Sequence, residues 1–387
     1  MLSGVNVALG ITGSIAAVKT VELAHELRRR GAEVRGVLTG GATGIVHPWA
    51  VEFATGRDAV TEITGAVEHV ELCGADGWAD VLLIAPATAN TVGKIAAAID
   101  DTPVTTCATT ALGAGVPVVI APAMHEPMYD HPGVLDAIDA VESWGVPFVP
   151  PRIEEGKAKI ASIDPIALET ARAAGPSPLA GERVVVTAGA TAEPVDPVRV
   201  LTSRASGKTG RAVARACYAR GADVTLVHAE PDPGDVPWAD LRRVGTAAEM
   251  RDAVGSAVEG ADALLSAAAI SDYTVDAAGG KIRSGQEDLT LSLRPTPKLI
   301  DAVREDHPDL PIVGFKTETG ADEEELVEAA RRIMDRVDLS FVVANDASVM
   351  GADATRALLV REDGRTAFEG SKDDFGLRVA DELSGVA

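Results

Sequence analysis

The sequence predicts an α/β protein built from two doubly wound, Rossmann-like parallel-sheet domains. Three observations carry that prediction. Apolar strands alternate with helical stretches along the chain, the pattern of parallel sheets covered on both faces. One opening, strand–turn–helix–strand, occurs twice, as "NVALGITGSIAAVKTVELAHELRRRGAEVRGVLTG" and as "ERVVVTAGAT…SGKTGRAVARACYARGADVTLVHA". Between them Gly175-Pro176-Ser177-Pro178-Leu179 breaks a helix ahead of a fresh strand, which divides the chain into 1–176 and 177–387.

Taken in order, the first half has a strand from Asn6 and a helix that stops at Arg30-Gly31, with Gly31 as a left-handed cap and a strand from Val34. Further strands fall near 81–86, 116–124 and 146–150, separated by helices. In the second half a strand at 183–188 and a helix lead to Arg220-Gly221-Ala222-Asp223-Val224, an echo of Arg30-Gly31-Ala32-Glu33-Val34. Strands follow at 261–270, 310–317 and 340–346, then a hairpin turning at Asp363-Gly364 and a last helix over 371–384.

Composition narrows the function. Apolar residues make up 46% and aromatic ones 3%, so Ala, Val, Gly and Leu carry the packing. A net charge of -23 opposes duplex nucleic acid and anionic membrane surfaces, and no such partner is expected. Only nine of the 35 basic residues are lysine, and so acidic, lysine-poor a surface points to an organism with high internal salt, with a merely acidic cytosolic protein as the alternative. There the screening length shrinks to about 3 Å and carboxylate repulsion matters little. Cys73, Cys107 and Cys217 form no CxxC, which fits a reducing cytoplasm. The N-terminus has no basic leader, and no apolar run reaches the ~18–20 residues of a membrane span.

Ligands of open parallel sheets bind beyond the carboxyl ends of the strands. Four such ends in the first half are unusual: Gly10-Ile11-Thr12-Gly13-Ser14, Thr39-Gly40-Gly41, Pro86-Ala87-Thr88-Ala89-Asn90-Thr91, and Ala121-Pro122-Ala123-Met124-His125-Glu126-Pro127-Met128-Tyr129. Glycines let a backbone approach a ligand closely, and a helix capped by Ser14 would suit a phosphate.

"PATANT" and "PAMHEPMY" closely resemble the PASANT and PxMNxxMW motifs of flavin-dependent cysteine decarboxylases, whose central member is phosphopantothenoylcysteine decarboxylase. The likeness covers about residues 4–175, and "EHVELCGADGWAD" resembles that family's histidine-bearing segment. It implies FMN, with its phosphate near Gly13 and Ser14 and with Thr39, Pro86, Thr88, Asn90, Cys107 and Ala108 around it. It also implies a substrate clamp of Met124, His125 and Met128, and His69 as base or carboxylate-orienting group. Decarboxylation of a cysteine amide needs an electron sink; oxidising the thiol side to a thioaldehyde provides one, and the reduced flavin returns the hydride. Two departures stand out. His125 replaces the usual Asn, and the stretch "PPRIEEGKAKIAS" lacks the cysteine that the bacterial flap carries. Lys159 or Lys157 is the expected source of the proton, with Cys73 as a further alternative; the competing reading is that both lysines bind the substrate phosphate.

In the second half "SGKTG" lacks the first glycine of a Walker A loop, because Thr202 stands there, and no GxGxxG follows the strand at 183–188. "TAGATAEPVDPVRVLTSRASGKTGRAVA", "AAAISDYTV", "GGKIRS" and "GFKTET…AND" instead resemble phosphopantothenate–cysteine ligase over nearly all of 181–384. That resemblance implies activation of the 4'-phosphopantothenate carboxylate by CTP, with ATP as the open alternative, through an acyl-cytidylate that the cysteine amine attacks. Mg2+ would neutralise the triphosphate. Lys281 is the implied catalytic residue, and Ala269, Asp272, Thr296, Pro297, Lys298, Leu299, Phe315 and Arg331 are implied nucleotide contacts. Ser203 and Lys208 would meet the substrate, near Gly189, Ser206 and Gly207. Ser203 stands where Asn is common, and a second basic position of the 331–336 helix falls on Asp335, with Arg336 beside it.

Ligase behind decarboxylase is a common fusion order, and one half's product is the other's substrate. Together the resemblances imply a bifunctional cytoplasmic enzyme of coenzyme A biosynthesis that yields 4'-phosphopantetheine. They imply a homo-oligomer of trimeric flavoprotein units and dimeric ligase units, up to a dodecamer. The competing readings are an FMN-dependent decarboxylase of another cysteine-ending substrate and a non-catalytic FMN-binding regulatory protein.

Overall fold

The computed structural model describes residues 1–234, 236–285, 288–346 and 354–386. The chain forms two compact units, Met1–Pro176 and Ser177–Ala387.

In the first unit β1 (Asn6–Ile11), β2 (Glu33–Leu38), β3 (Val81–Ala87) and β4 (Val118–Pro122) make an all-parallel sheet in the order β2-β1-β3-β4. The chain leaves β1 toward one edge and returns on its other side. This reversal opens a crevice at the strands' carboxyl ends. Side chains alternate between two cores, as the pleat requires. Val7, Leu9 and Ile11 join Leu23 and Leu27 of helix Thr20–Arg29, while Ala8 joins Leu82, Ile84 and Val104 on the opposite face. Each fully buried Leu or Ile contributes about 1.5–3 kcal/mol, so both faces hold the sheet.

Two strands form differently from the sequence expectation. The run at 116–124 gives two elements: β4 ends at Pro122, and β5 (Met124–His125) joins another sheet. Proline has no amide hydrogen to extend the ladder. The stretch 146–150 contributes one bridge, Phe148 to Ile120, because Pro147 and Pro150 remove donors on either side. Residues 150–162 instead fold as a hairpin of β6 (Arg152–Glu154) and β7 (Lys157–Lys159), and β7 also pairs with β5. Its turn residues Glu155 and Gly156 have φ of 52° and 69°, the two left-handed positions of a type I′ turn.

The second unit contains β8 (Arg183–Ala188), β9 (Ala192–Pro194), β10 (Val200–Thr202), β11 (Asp223–His228), β12 (Asp240–Arg243), β13 (Ala263–Ser266), β14 (Tyr273–Val275), β15 (Leu293–Pro295), β16 (Ile312–Glu318), β17 (Phe341–Asp346), β18 (Ala354–Val360) and β19 (Arg365–Ser371). Eight of them form one sheet, β12-β11-β8-β13-β16-β17-β18-β19, parallel through β17 and antiparallel across the β18–β19 hairpin. The strand expected over 261–270 shortens to β13, after which Ala269 bridges to Ala190. Helix Lys372–Leu383 packs on helix Lys208–Ala219 where Gly376 has no Cβ; an added one would collide with the Ala212 carbonyl oxygen. Among the described residues no helix is long and apolar enough to cross a membrane.

Candidate active sites

A cavity of about 670 Å3 opens in the first unit, lined by the turn after β1, by Thr88, and by residues of β5 and the β6–β7 hairpin. Two hydrogen bonds join the turns after β1 and β3. The Thr12 hydroxyl donates to the Pro86 carbonyl at 2.7 Å and accepts from the Thr88 amide at 3.1 Å. Gly13 lies against Gly41, where a Cβ would stand 3.2 Å from the Gly41 Cα. Thr88 caps helix Ala89–Ala96 by accepting from the Thr91 amide at 3.3 Å.

The helix expected directly after Ser14 begins differently. Ser14 precedes a five-residue 3-10 helix, Ile15–Lys19, accepting from the Ala16 amide at 3.4 Å, and the α-helix starts at Thr20. Tighter 3-10 turns are frequent at helix N-termini. The Ser14 amide itself donates to the Thr12 carbonyl at 2.8 Å, so the donors offered here are the neighbouring turn amides and the Ser14 hydroxyl, with little macrodipole behind them.

Gly13, Ser14, Thr88, Met124, His125, Met128 and Lys159 line the cavity. Thr39, Pro86, Asn90, Cys107, Ala108 and His69 do not. Thr39 is buried and caps Gly40–Thr43 through the Ala42 amide at 3.2 Å. Asn90 is exposed on its helix. Cys107 and Ala108 are fully buried in helix Pro103–Ala114. The Cys107 thiol meets that of Cys73, and this contact together with burial pushes its pKa up. Cys73 is itself fully buried, which removes it as a proton source for this cavity.

His69 lies on helix Glu68–Cys73, entered through Val67, whose φ of 51° is unusual for a β-branched residue. The Thr64 amide donates to the Glu68 carboxylate at 2.7 Å and closes this segment. The Nδ1 atom of His69 is buried without a hydrogen-bond partner. Such an atom calls for a partner from outside the described chain.

The Lys159 ammonium donates to Glu154 and Glu155, each at 3.0 Å. The hydrogen bonds to Glu155 and Glu154 raise its pKa. That suits a fixed cation better than a proton donor near neutrality.

In the second unit six of the eight implied nucleotide residues fall after β13 and β15, while Phe315 lies on β16 and Arg331 on helix Glu323–Val337. Lys298 donates to Asp272 at 2.5 Å, the Thr296 amide donates to the Asp272 carbonyl at 3.0 Å, and Leu299 starts helix Leu299–Asp306. Ala269 accepts from the Thr191 amide at 3.2 Å, which joins this loop to the turn after β8. Lys281 is exposed, and Ser203 accepts from the Ala205 amide at 3.2 Å in an exposed turn. Lys208 is the first residue of helix Lys208–Ala219, behind Gly207 with φ of 70°; a Cβ on Gly207 would fall 2.8 Å from the Gly189 amide nitrogen. Phe315 packs half-buried against the core. Pro297, Arg331 and Asp335 are exposed, while Arg336 donates to Asp301 at 2.5 and 2.6 Å.

Sequence reasoning missed Asp196. Its buried carboxylate accepts from the amides of Val198 (2.8 Å), Arg199 (2.9 Å) and Ile282 (3.0 Å) and from Arg199 Nε (2.9 Å). Arg199 Nη2 donates both to Asp196 and to the Ile282 carbonyl. The Arg199 guanidinium and these amides hold the Asp196 pKa far below the usual carboxylate range. One ion pair thus fastens the loop next to Lys281 onto a loop 86 residues away. The signal was the "DPVR" run, a charged pair flanking a proline turn. No group of three His, Cys, Asp or Glu side chains able to hold a metal ion occurs among the described residues.

Residues 1–174 match the family model described as Flavoprotein, and residues 179–386 match the DNA/pantothenate metabolism flavoprotein C-terminal domain. The coenzyme A biosynthesis bifunctional protein CoaBC of Thermococcus kodakarensis is 50% identical over 366 residues, 94% of this chain and 90% of that one. Its Methanocaldococcus jannaschii counterpart is 34% identical over 99% of this chain and 94% of its own, and the Bacillus subtilis one 32% identical over 100% and 98%. A match of this extent, spanning both units, shows that the chain belongs to the CoaBC family of bifunctional coenzyme A biosynthesis proteins.

Proposed function

We propose that the chain performs both steps of this branch of coenzyme A biosynthesis. Its second unit ligates cysteine to 4'-phosphopantothenate with CTP, and its first unit decarboxylates the product to 4'-phosphopantetheine with FMN. The observation that carries this reading is the match of a single chain, unit by unit, to bifunctional relatives along almost its whole length.

The cavity of the first unit fits a flavin. Ile15, Val18, Met124 and Met128 offer apolar faces, while Ser14, Thr88 and the bare backbone at Gly13 offer polar ones. FMN bound there would supply the electron sink that the departing carboxylate requires. Met124, His125 and Met128 would clamp the substrate. Lys159 would hold positive charge beside the developing thiolate, where a fixed charge lowers the barrier. His69 does not line this cavity, and its unpaired Nδ1 supports completion of the site by a second copy of the chain, as in the trimer that the family resemblance implies.

In the second unit Lys281 would face the reacting phosphate, with Asp272, Lys298 and Arg331 around the nucleotide and Ser203 and Lys208 near the substrate. Mg2+ would arrive on the triphosphate, since it keeps several waters and commonly binds through phosphates. A cytoplasm of high salt accounts for the acidic, lysine-poor composition.

Incubation with 4'-phosphopantothenate, cysteine, CTP and Mg2+ tests the reading. Pyrophosphate and carbon dioxide are both expected. Pyrophosphate alone would leave only the ligase, and neither product would favour a regulatory flavin-binding role.

A further inference from the structure

The first unit's cavity is basic although the chain is strongly acidic. Three of the nine lysines, Lys19, Lys157 and Lys159, line it together with Arg152, against a single carboxylate, Glu154. Glu154 is already engaged by Arg152 at 3.1 Å and Lys159 at 3.0 Å, and Lys159 also holds Glu155. The ammonium groups of Lys19 and Lys157 make no hydrogen bond or close ion pair among the described residues; Lys19 acts on Glu154 and Lys157 on Glu155 only through longer-range attraction. They come from different walls. Lys19 ends the 3-10 helix after β1, and Lys157 opens β7 in the hairpin. Lys19 and Arg152 also line a second cavity of about 450 Å3 along helix Thr20–Arg29, so they stand where the two spaces meet.

We propose that Lys19 and Lys157 form a subsite for a phosphate monoester dianion, namely the terminal phosphate of the decarboxylase substrate. The inference rests on the decarboxylase reading above. A chain of net charge -23 repels a dianion at long range, and cations that outnumber the carboxylates lining the cavity reverse that repulsion where the ligand must sit. The flavin carries the same chemical group. Its phosphate can use the turn amides near Gly13 and Ser14, whereas Lys157 lies on a hairpin outside the parallel sheet that bears that turn. A phosphate gripped by Lys19 and Lys157 leaves the substrate's opposite end, the cysteine carboxylate, free to reach the flavin.

The test compares phosphopantothenoylcysteine with its dephosphorylated counterpart on the FMN-loaded full chain. Decarboxylation kcat/KM and equilibrium dissociation constants are measured for wild type, Lys19→Ala, Lys157→Ala, the double variant and Lys19→Arg. The preference for the phosphorylated compound should fall about tenfold for each alanine and about a hundredfold for both, as for a lost charge-assisted hydrogen bond. Lys19→Arg should keep it. An unchanged preference in the double variant overturns the proposal. Weakened FMN binding with the preference intact also overturns it, because the two ammonium groups would then serve the flavin phosphate. If wild type turns over neither compound, the decarboxylase reading fails on its own, and the binding arm still decides the subsite. Lys159→Ala provides the contrast, since it should slow both compounds alike.

Discussion

The two units open on the same strand–turn–helix plan and part company at the first turn. After β1 only residues 12–19 precede the α-helix, whereas after β8 residues 189–207 intervene and carry the β9–β10 ribbon. The first unit builds its site as a cavity: a four-stranded sheet, tight turns tied by Thr12, and a hairpin flap. The second spreads its candidate residues over long loops and two ribbons, held in place by the Asp196–Arg199 pair. One scaffold thus leaves both candidate sites at strand carboxyl ends, while the connections decide whether a candidate site is walled by packing or tied by buried charge.

That contrast predicts how each site breaks. The largest effect belongs to the second unit. Lys281→Ala should lower pyrophosphate release by about a hundredfold to a thousandfold, the usual loss when one stabilising group is removed from developing charge. Asp196→Asn should lower the ligase kcat by about tenfold to a hundredfold with little change in KM, because a misplaced group costs orientation more than binding. Carbon dioxide release from supplied phosphopantothenoylcysteine is the internal control for both variants. A normal ligase kcat in Asp196→Asn would mean that the loops hold Lys281 without the ion pair.

A smaller effect sharpens the same contrast. His228, at the end of β11, is buried and meets Arg211 Nη1 through Nε2 at 3.0 Å, while Nδ1 faces the Ala229 carbonyl. The carbonyl takes the Nδ1 hydrogen, which leaves Nε2 as acceptor and requires a neutral ring. Burial lowers the His228 pKa from 6.5, and Arg211 and Arg243 add to the shift against Asp232 and the Ala229 bond. The unfolded chain therefore binds more protons than the folded one below pH 6.5. This contribution to stability is full above pH 6.5 and shrinks as pH falls below it. The melting temperature should drop with acid over that window, and His228→Gln should flatten the drop. A variant as acid-sensitive as wild type would assign the loss to other groups.

Much of the fold was legible because buried parallel strands are apolar runs bounded by turns. The repeated Arg-Gly-Ala-acid-Val stops, the divide near Pro176 and the Asp363-Gly364 hairpin all register locally in sequence. What sequence reading missed depends on length or on distance. The ribbons β9–β10 and β14–β15 have three residues per strand, too few for a period to emerge. The strand read at 146–150 is apolar enough but interrupted by Pro147. Of the site, the strand-end motifs name their own turns. The link from Asp196 to Ile282 spans 86 residues, and the grouping of Lys19 with Lys157 exists only once the hairpin folds over the turn after β1. The orphaned Nδ1 of His69 likewise has meaning only in three dimensions.

The central claim is that the first unit's strand-end cavity holds a flavin on which decarboxylation depends. Fluorescence titration of the flavin-free, folded full chain with FMN tests it most directly. Saturable binding of one FMN per chain is the predicted result, and Ser14→Ala, which removes the hydroxyl and keeps the amide's hydrogen bond to the Thr12 carbonyl, should weaken it. A folded chain that shows no saturable binding of FMN would contradict the account.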